Sequence, residues 1–168
     1  MGNIAVRIAE PREYEAVAHL IVDVYATELG DSLSDDYRLH LADVARRAAG
    51  AVVLVALDGA ELVGSVTYVP GPDSDYAEFT AANEAGIRML VVAPEAQRRG
   101  IGSELVKACA DRARQARKAR VSLHTTPGMA AAQRLYEGLG FVRAPARDWL
   151  PEPGVELLGY VLELAPGR

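Results

Sequence analysis

The residues with the clearest chemical potential form a short basic, glycine-rich stretch, Gln97-Arg98-Arg99-Gly100-Ile101-Gly102-Ser103. Its two glycines remove side chains from the start of a predicted helix, so that successive backbone N–H groups are open to a ligand. Unpaired N–H donors, the positive end of a helix dipole and two adjacent arginines are typical of an anion site. The stretch therefore predicts binding of a phosphate-containing ligand.

Two common nucleotide sites do not fit this stretch. A nucleotide P-loop would need a Lys-Ser/Thr pair, which is absent here. A dinucleotide fingerprint would need a third glycine, but the chain continues from Gly102 to Leu105 without one. A different class of phosphate ligand is therefore expected.

The spacing Gln97-x-x-Gly100-x-Gly102 after an apolar strand resembles the pyrophosphate loop of the GCN5-related N-acetyltransferases (GNAT), Gln/Arg-x-x-Gly-x-Gly/Ala. Residues 132–141, AQRLYEGLGF, are similar to a second family motif, a helix with a tyrosine followed by Gly-Phe and a strand. Both motifs occur in the family's order and spacing. The resemblance implies a mixed α/β GNAT fold, with a central, mostly antiparallel twisted sheet of about seven strands, split between the fourth and fifth, and about four flanking helices.

The resemblance also implies an acetyl-CoA-dependent N-acetyltransferase and assigns roles to residues. The backbone of Leu90, Val91 and Val92 would hydrogen-bond the pantetheine arm and polarise the acetyl carbonyl. The pyrophosphate would contact Gln97, Arg98, Arg99, Gly100, Ile101, Gly102 and Ser103. Tyr136 occupies the general-acid position, where a phenol can protonate a leaving thiolate of comparable basicity. A tyrosine that only packs at the core edge is the alternative.

Two positions depart from the family's pattern. The frequent catalytic glutamate would fall 11 residues before Gln97, at Gly86, which has no side chain. Glu84 returns to the same strand face and could act as the base, directly or through water, and His124 is a second candidate. A solvated glutamate at the end of the strand and a structural histidine are the alternatives. A cofactor-binding asparagine would fall seven residues before Tyr136, where this chain has Met129. The catalytic base is therefore open.

The elements that must position these residues are an apolar strand over Ile87 to Val92, ended by Pro94, and a helix that begins at or just before Gly100. Cys109 lies in the apolar stripe of that helix and is expected to be a small core residue. The other predicted elements are a strand over 3–9, helices over 11–30 and 34–50, strands over 51–57 and 61–69 joined by Asp58-Gly59, a loop over 70–83, a strand over 120–125, a helix over 129–139, a strand from Phe141, a turn over 151–154 and a strand over 155–164.

Composition predicts one globular domain over residues 1–168, since half of the residues are hydrophobic and a quarter are charged. No apolar run approaches the about 18 residues that cross a bilayer, and no secretory signal is evident, so a cytoplasmic location without membrane association is expected. The net charge of −5 argues against a nucleic-acid surface. No metal site is expected, and the resemblance allows a homodimer.

The acceptor is expected to be a small-molecule or peptide amine, and the acids around residues 70–84, with Asp35 and Asp36, favour a cationic one. Acids that only cluster in solvated loops of a protein with this net charge are the alternative. A non-catalytic acyl-CoA-binding or regulatory module stays open as an alternative, because Gly86 and Met129 depart from the family's pattern. A structural protein that uses only the fold is a third reading. Tight cofactor binding without turnover would identify a non-catalytic acyl-CoA-binding module. A lack of affinity for CoA would identify a structural protein.

Overall fold

The computed structural model describes residues 3–165. The chain forms two compact units, each built from two segments. The first unit runs up to Tyr68 and resumes over Met89–Ala108, and the second comprises Val69–Arg88 and the chain from Cys109 onward. One domain over residues 1–168 remains a prediction.

The first unit contains an antiparallel sheet of β1 (Ile4–Ile8), β2 (Val52–Asp58) and β3 (Glu61–Val69). The second half of β4 (Glu84–Val92) lies beside β3. A two-residue turn joins β2 to β3, and Gly59 in that turn has a φ of 62°, which glycine adopts without a steric cost. The predicted hairpin is therefore present, but its turn lies at residues 59–60 and not at Asp58-Gly59, because Asp58 is still paired with Glu61.

Three helices cover this sheet, and one of them differs from expectation. They are α1 (Tyr14–Leu29), α2 (Asp35–Ala42) and α3 (Val44–Gly50), whose buried residues include Val17, Ile21, Leu41 and Val44. The sequence predicted a single helix over 34–50. The break falls at Asp43, which has a non-helical ψ of 68° and accepts a hydrogen bond from the Arg46 N–H at 3.3 Å. The Asp43 carboxylate thus caps a second helix at a point where the apolar spacing alone does not indicate a break.

The second unit contains the first half of β4, which pairs in parallel with β5 (Arg120–Thr125), so that Gly86 lies opposite Ser122. β8 (Val155–Glu163) is antiparallel to β5, to β6 (Val142–Arg143) and to β7 (Trp149–Glu152). α5 (Ala130–Gly138) precedes β6, and α4 (Ile101–Gln115) has its second half here. The sequence predicted a turn over 151–154 and did not predict β7.

The mixed α/β class is confirmed, with eight strands and five α-helices over residues 3–165. The parallel pairing of β4 with β5, next to the antiparallel pairing of β5 with β8, agrees with the predicted split between the fourth and fifth strands. Among the described helices none is both long enough and apolar enough to cross a membrane.

Candidate active site

The glycine-rich turn lies in the first unit, between β4 and α4. Pro94 begins a short 3₁₀ turn after the strand, and the Ala93 N–H still donates to the Val63 carbonyl at 2.8 Å. α4 packs closely on β3 because Gly64 has no side chain: a Cβ there would lie 3.0 Å from Leu105 Cδ1 and 3.2 Å from Ile101 Cγ2. The buried Ile101 and Leu105 thus hold the amino terminus of α4 against the sheet.

The turn itself has open backbone. Arg98 and Gly100 have φ values of 66° and 78°, and a Cβ at Gly100 would meet no atom within 4 Å. The first helical hydrogen bond runs from the Glu104 N–H to the Gly100 carbonyl at 3.0 Å. The N–H groups of Ile101, Gly102 and Ser103 precede that bond, as expected for the first turn of a helix. This arrangement can accept an anion at the positive end of the helix dipole.

The polar side chains of the turn have separate roles in the structure. Gln97 Nε2 donates to the Val92 carbonyl at 3.3 Å, which ties the turn to the end of β4. Arg99 forms an ion pair with Asp58 at 3.0 Å, whereas the Arg98 side chain is exposed. Arg98 is therefore the more available cation for a ligand.

The strand segment Leu90 to Val92 follows an irregular residue. Met89 has a φ of 56°, a left-handed conformation that is uncommon for a non-glycine residue. Such a residue interrupts regular strand geometry, and departures of this kind cluster at functional sites. The sequence pattern, a plain apolar run, contains no signal for it.

Glu84 lies in the second unit and is deeply buried, with 2% of its side chain exposed. Arg147 binds both of its carboxylate oxygens, and Arg120 Nη1 lies 3.6 Å from Oε1. Both carboxylate oxygens are therefore already engaged by Arg147, with Arg120 close by. Neither arginine was expected near Glu84 from the sequence.

Gly86 lies on the same strand, against an aromatic ring. A Cβ at Gly86 would lie 2.8 Å from Phe79 Cε1, which is closer than side-chain carbons normally approach. Phe79 comes from the loop before β4, which the sequence predicted only as an irregular acidic segment. The ring thus occupies the space into which a side chain at position 86 would project.

His124 lies close to Glu78 of the same loop. Its Nδ1 is 3.6 Å from Glu78 Oε1, and its Nε2 is 2.9 Å from the Arg147 carbonyl. Burial alone would lower the pKa of His124, but contact with Glu78 and with the Arg147 carbonyl outweighs it, so that the pKa lies above its ordinary value. Burial alone would raise the pKa of Glu78. The contacts with His124 and Arg88 outweigh burial, so that the pKa of Glu78 lies below its ordinary value.

Tyr136 is buried near the end of α5, where it contacts two other rings. The ring centroids of Phe141 and Tyr160 lie 5.7 Å and 6.3 Å away. Met129 precedes α5, and its sulfur accepts a hydrogen bond from the Thr125 hydroxyl at 3.7 Å. Tyr136 is therefore held rigidly by aromatic packing, which is compatible with either a structural or a chemical role.

Cys109 is fully buried in α4, and burial raises the pKa of its thiol to about 12. The thiolate, which is the nucleophilic form, is then scarce at neutral pH. Over residues 3–165 no cluster of three or more His, Cys, Asp or Glu side chains could hold a metal ion.

Comparison with known proteins places this architecture among acetyltransferases. The model of the Acetyltransferase (GNAT) family matches residues 14–141. No curated protein matches the chain.

Three solved structures are similar over nearly the whole chain. A GNAT-family acetyltransferase from Staphylococcus aureus MU50 has 16% identity and a TM-score of 0.77, covering 97% of this chain and 100% of its own. The ribosomal-protein-alanine N-acetyltransferase of Brucella melitensis has 23% identity and a TM-score of 0.71, covering 95% and 99%. The putative acetyltransferase yncA of Salmonella typhimurium, solved with its cofactor acetyl-CoA, has 21% identity and a TM-score of 0.69, covering 96% and 94%.

Proposed function

The chain belongs to the acetyltransferase (GNAT) family, and from that premise we propose that it transfers an acetyl group from acetyl-CoA to a primary amine. The amine attacks the thioester directly while both substrates are bound. The single observation that supports this most is the open turn before α4, whose N–H groups precede the helical hydrogen bonds and whose Gly100 faces empty space. The similar yncA structure was solved with its cofactor acetyl-CoA, which supports acetyl-CoA as the acetyl donor here.

The proposed cofactor contacts follow from the turn and the adjoining strand. The N–H groups of Ile101, Gly102 and Ser103 bind the pyrophosphate, and Arg98 adds a cation. Gln97 and Arg99 hold the turn in its conformation and do not contact the ligand directly. The Gln97 side chain binds the Val92 carbonyl, and the Arg99 side chain binds Asp58. The backbone of Leu90, Val91 and Val92, which follows the irregular Met89, binds the pantetheine arm and polarises the acetyl carbonyl.

The proposed chemistry needs no covalent enzyme intermediate. An acceptor ammonium first loses one proton to a base; the free amine then forms the C–N bond as the C–S bond breaks. Tyr136 protonates the departing CoA thiolate and recovers a proton from the acetylated nitrogen. The net products are the amide, CoA thiol and one proton. The buried, high-pKa thiol of Cys109 disfavours a route through an acetylated cysteine.

Glu84 as the base remains a prediction from the sequence. Its two arginine partners make another role better supported, and we propose that Glu84 holds Arg147 in place. Replacing it would remove the carboxylate that binds Arg147, whereas Arg120 would keep its pair with Glu163, so the loss of Glu84 should destabilise the fold as well as alter activity.

The experiment that tests the function is a screen of primary amines with acetyl-CoA, following release of the CoA thiol. The proposal predicts release that depends on both the protein and an amine, with an N-acetylated product detected by mass. Acetyl-CoA binding by calorimetry without turnover on any amine would instead support a non-catalytic acyl-CoA-binding module. Absence of binding would leave only the fold in common with acetyltransferases.

A further inference from the structure

Residues 76–79, in the loop before β4, are held to the second unit by polar contacts. Arg88 Nη1 donates to the Tyr76 carbonyl at 3.5 Å, and Arg88 Nε lies 3.5 Å from Glu78 Oε1. His124 Nδ1, on β5, lies 3.6 Å from the same Glu78 oxygen. Imidazole is the side chain whose ordinary pKa lies closest to neutral pH. The contact between Glu78 and His124 is therefore the one that a modest change of pH can alter.

The hydrogen bonding of His124 makes its neutral form a poor partner for Glu78. Nε2 lies 2.9 Å from the Arg147 carbonyl oxygen, which can only accept, so Nε2 carries a hydrogen. A neutral imidazole then directs the lone pair of Nδ1 at Glu78 Oε1. Nδ1 is buried and makes no hydrogen bond within residues 3–165, and only 6% of the side chain is exposed. Neutral His124 thus leaves two acceptors facing each other, whereas protonated His124 directs an N–H at the carboxylate.

The contact is also shielded from solvent. Glu78 and His124 line a small cavity of about 10 Å³ together with Gly86 and Ser122, which leaves room for about one water molecule. The Glu78 side chain is 20% exposed. Salt screens a partly buried pair much less than an exposed one. The protonation state of His124 therefore affects this contact more than it would affect a pair on the surface.

Charged groups from the neighbouring elements act on this pair. Burial and the charge of Arg147 lower the pKa of His124, but the Glu78 carboxylate and the Arg147 carbonyl outweigh them, so that the pKa lies above its ordinary value. Arg147 is itself bound to Glu84. The groups that face the pair are Arg88 of β4, Arg147 of the turn before β7, and Asp148, which is bound to Arg143, while β8 places the uncharged Gly159 opposite His124.

We propose that Glu78 and protonated His124 form a latch, which fastens residues 76–79 to β5 and opens as the pH rises and His124 loses its proton. Residues 77–81 line a surface cavity of about 430 Å³ in the same unit, together with Glu84 and Arg147. Opening the latch therefore changes one wall of this cavity. The latch is a property of the second unit alone, and it does not depend on acetyl transfer.

The pH range in which the latch is closed follows from the direction of two pKa shifts. The pKa of His124 is raised, so its contribution to stability is complete below the ordinary histidine pKa of about 6.5 and is lost as the pH rises through the raised value. The pKa of Glu78 is lowered, so its contribution is complete above the ordinary glutamate pKa of about 4.3 and is lost as the pH falls through the lowered value. The latch is thus most stable between about pH 4.3 and pH 6.5.

The first test is a nuclear magnetic resonance titration of the His124 imidazole, assigned with the His124→Gln variant. Glu78→Gln removes the negative charge but keeps the shape of the side chain, so the pKa of His124 should fall. The matched control is Asp75→Asn, which removes an exposed charge from the same loop and should leave the pKa of His124 unchanged. A wild-type His124 that titrates at or below its ordinary pKa would overturn the inference, and that measurement needs no variant.

The second test asks whether the proton controls the loop. Relaxation of ¹³C-labelled alanine methyl groups compares Ala77, in the loop, with Ala85, which is fully buried in β4. The order parameter of Ala77 should fall as wild-type His124 loses its proton, whereas that of Ala85 should stay constant. In His124→Gln the order parameter of Ala77 should be low from about pH 5 to pH 9, because no imidazole titrates there. An order parameter of Ala77 that stays constant through the wild-type titration would overturn the latch. Neither test requires acetyl-CoA or an amine, so its outcome is independent of the proposed function.

Discussion

The Phe79 ring and the Cα of Gly86 lie so close together that a Cβ on residue 86 would be 2.8 Å from Phe79 Cε1. A side chain at this position would therefore require the Phe79 ring to move. The residue next to Phe79, Glu78, faces His124 across the same small cavity. Gly86 thus lies beside a contact between a carboxylate and an imidazole.

Gly86→Ala should destabilise the protein, because its added methyl group must displace the Phe79 ring. Overpacking of this kind costs about 1–3 kcal/mol in the free energy of unfolding. The measurement is denaturant unfolding of Gly86→Ala, Phe79→Ala and the double variant. If the ring causes the strain, Gly86→Ala should cost much less when Phe79 is already alanine. Equal costs in both backgrounds would show that the ring is not responsible.

Gly102→Glu should abolish acetyl-CoA binding, because a carboxylate in the first turn of α4 repels the pyrophosphate and fills its space. Calorimetric titration with acetyl-CoA measures the effect, and circular dichroism checks that the variant is folded. Glu95→Gln, an exposed change in the short turn before the loop, is the control and should bind normally. Unchanged affinity in a folded Gly102→Glu variant would remove the loop from the cofactor site.

Tyr136→Phe should lower kcat by ~10²-fold or more, with little change in affinity for acetyl-CoA. The change removes only the hydroxyl and keeps the ring that packs against Phe141 and Tyr160. Tyr160→Phe is a matched control, since it removes a buried hydroxyl that donates to Glu137 at 3.1 Å. A wild-type kcat in Tyr136→Phe, under conditions where chemistry limits the rate, would assign Tyr136 to packing alone.

The acceptor should be cationic, because exposed acids lie in the loop that supplies Glu78. Asp73 and Asp75 are exposed, and charges of this kind raise the local concentration of an ammonium substrate. We expect kcat/KM to be higher for polyamine, aminoglycoside or lysine-peptide acceptors than for neutral or acidic amines, and to fall with added salt. The double variant Asp73→Asn/Asp75→Asn should lose this preference. A preference for glutamate, or no salt dependence on the best cationic acceptor, would contradict the prediction.

Much of the fold could be predicted from local sequence patterns. The alternation over residues 3–9 and the apolar stripe from Ile101 are close-range signals, and β1 and α4 occur where these signals place them. The break at Asp43 was missed because apolar spacing continues through it, although an aspartate is a good cap. β7 was missed because it has only four residues and contains Pro151, with Pro153 and Gly154 directly after it, a composition that resembles a turn.

Some parts of the candidate site could be predicted from the sequence and others could not. The turn before α4 could be found because its glycines and arginines are adjacent in sequence. The partners of Glu84 could not, because Arg147 lies 63 residues away and meets it only in the folded chain. Likewise, nothing local links Phe79 to Gly86, or Glu78 to His124, since each contact joins a loop to a strand. Residue spacing therefore indicates a cofactor loop more readily than a proton acceptor.

The most direct test of acetyl transfer is a steady-state measurement of CoA-thiol release with both acetyl-CoA and the best amine varied, and with the N-acetylated product quantified in parallel. Direct attack in a ternary complex predicts initial-rate lines that intersect, one amide formed per thiol released, and no acetylated protein when the amine is omitted. Release that does not depend on the amine, or parallel lines with an acetylated enzyme, would contradict it.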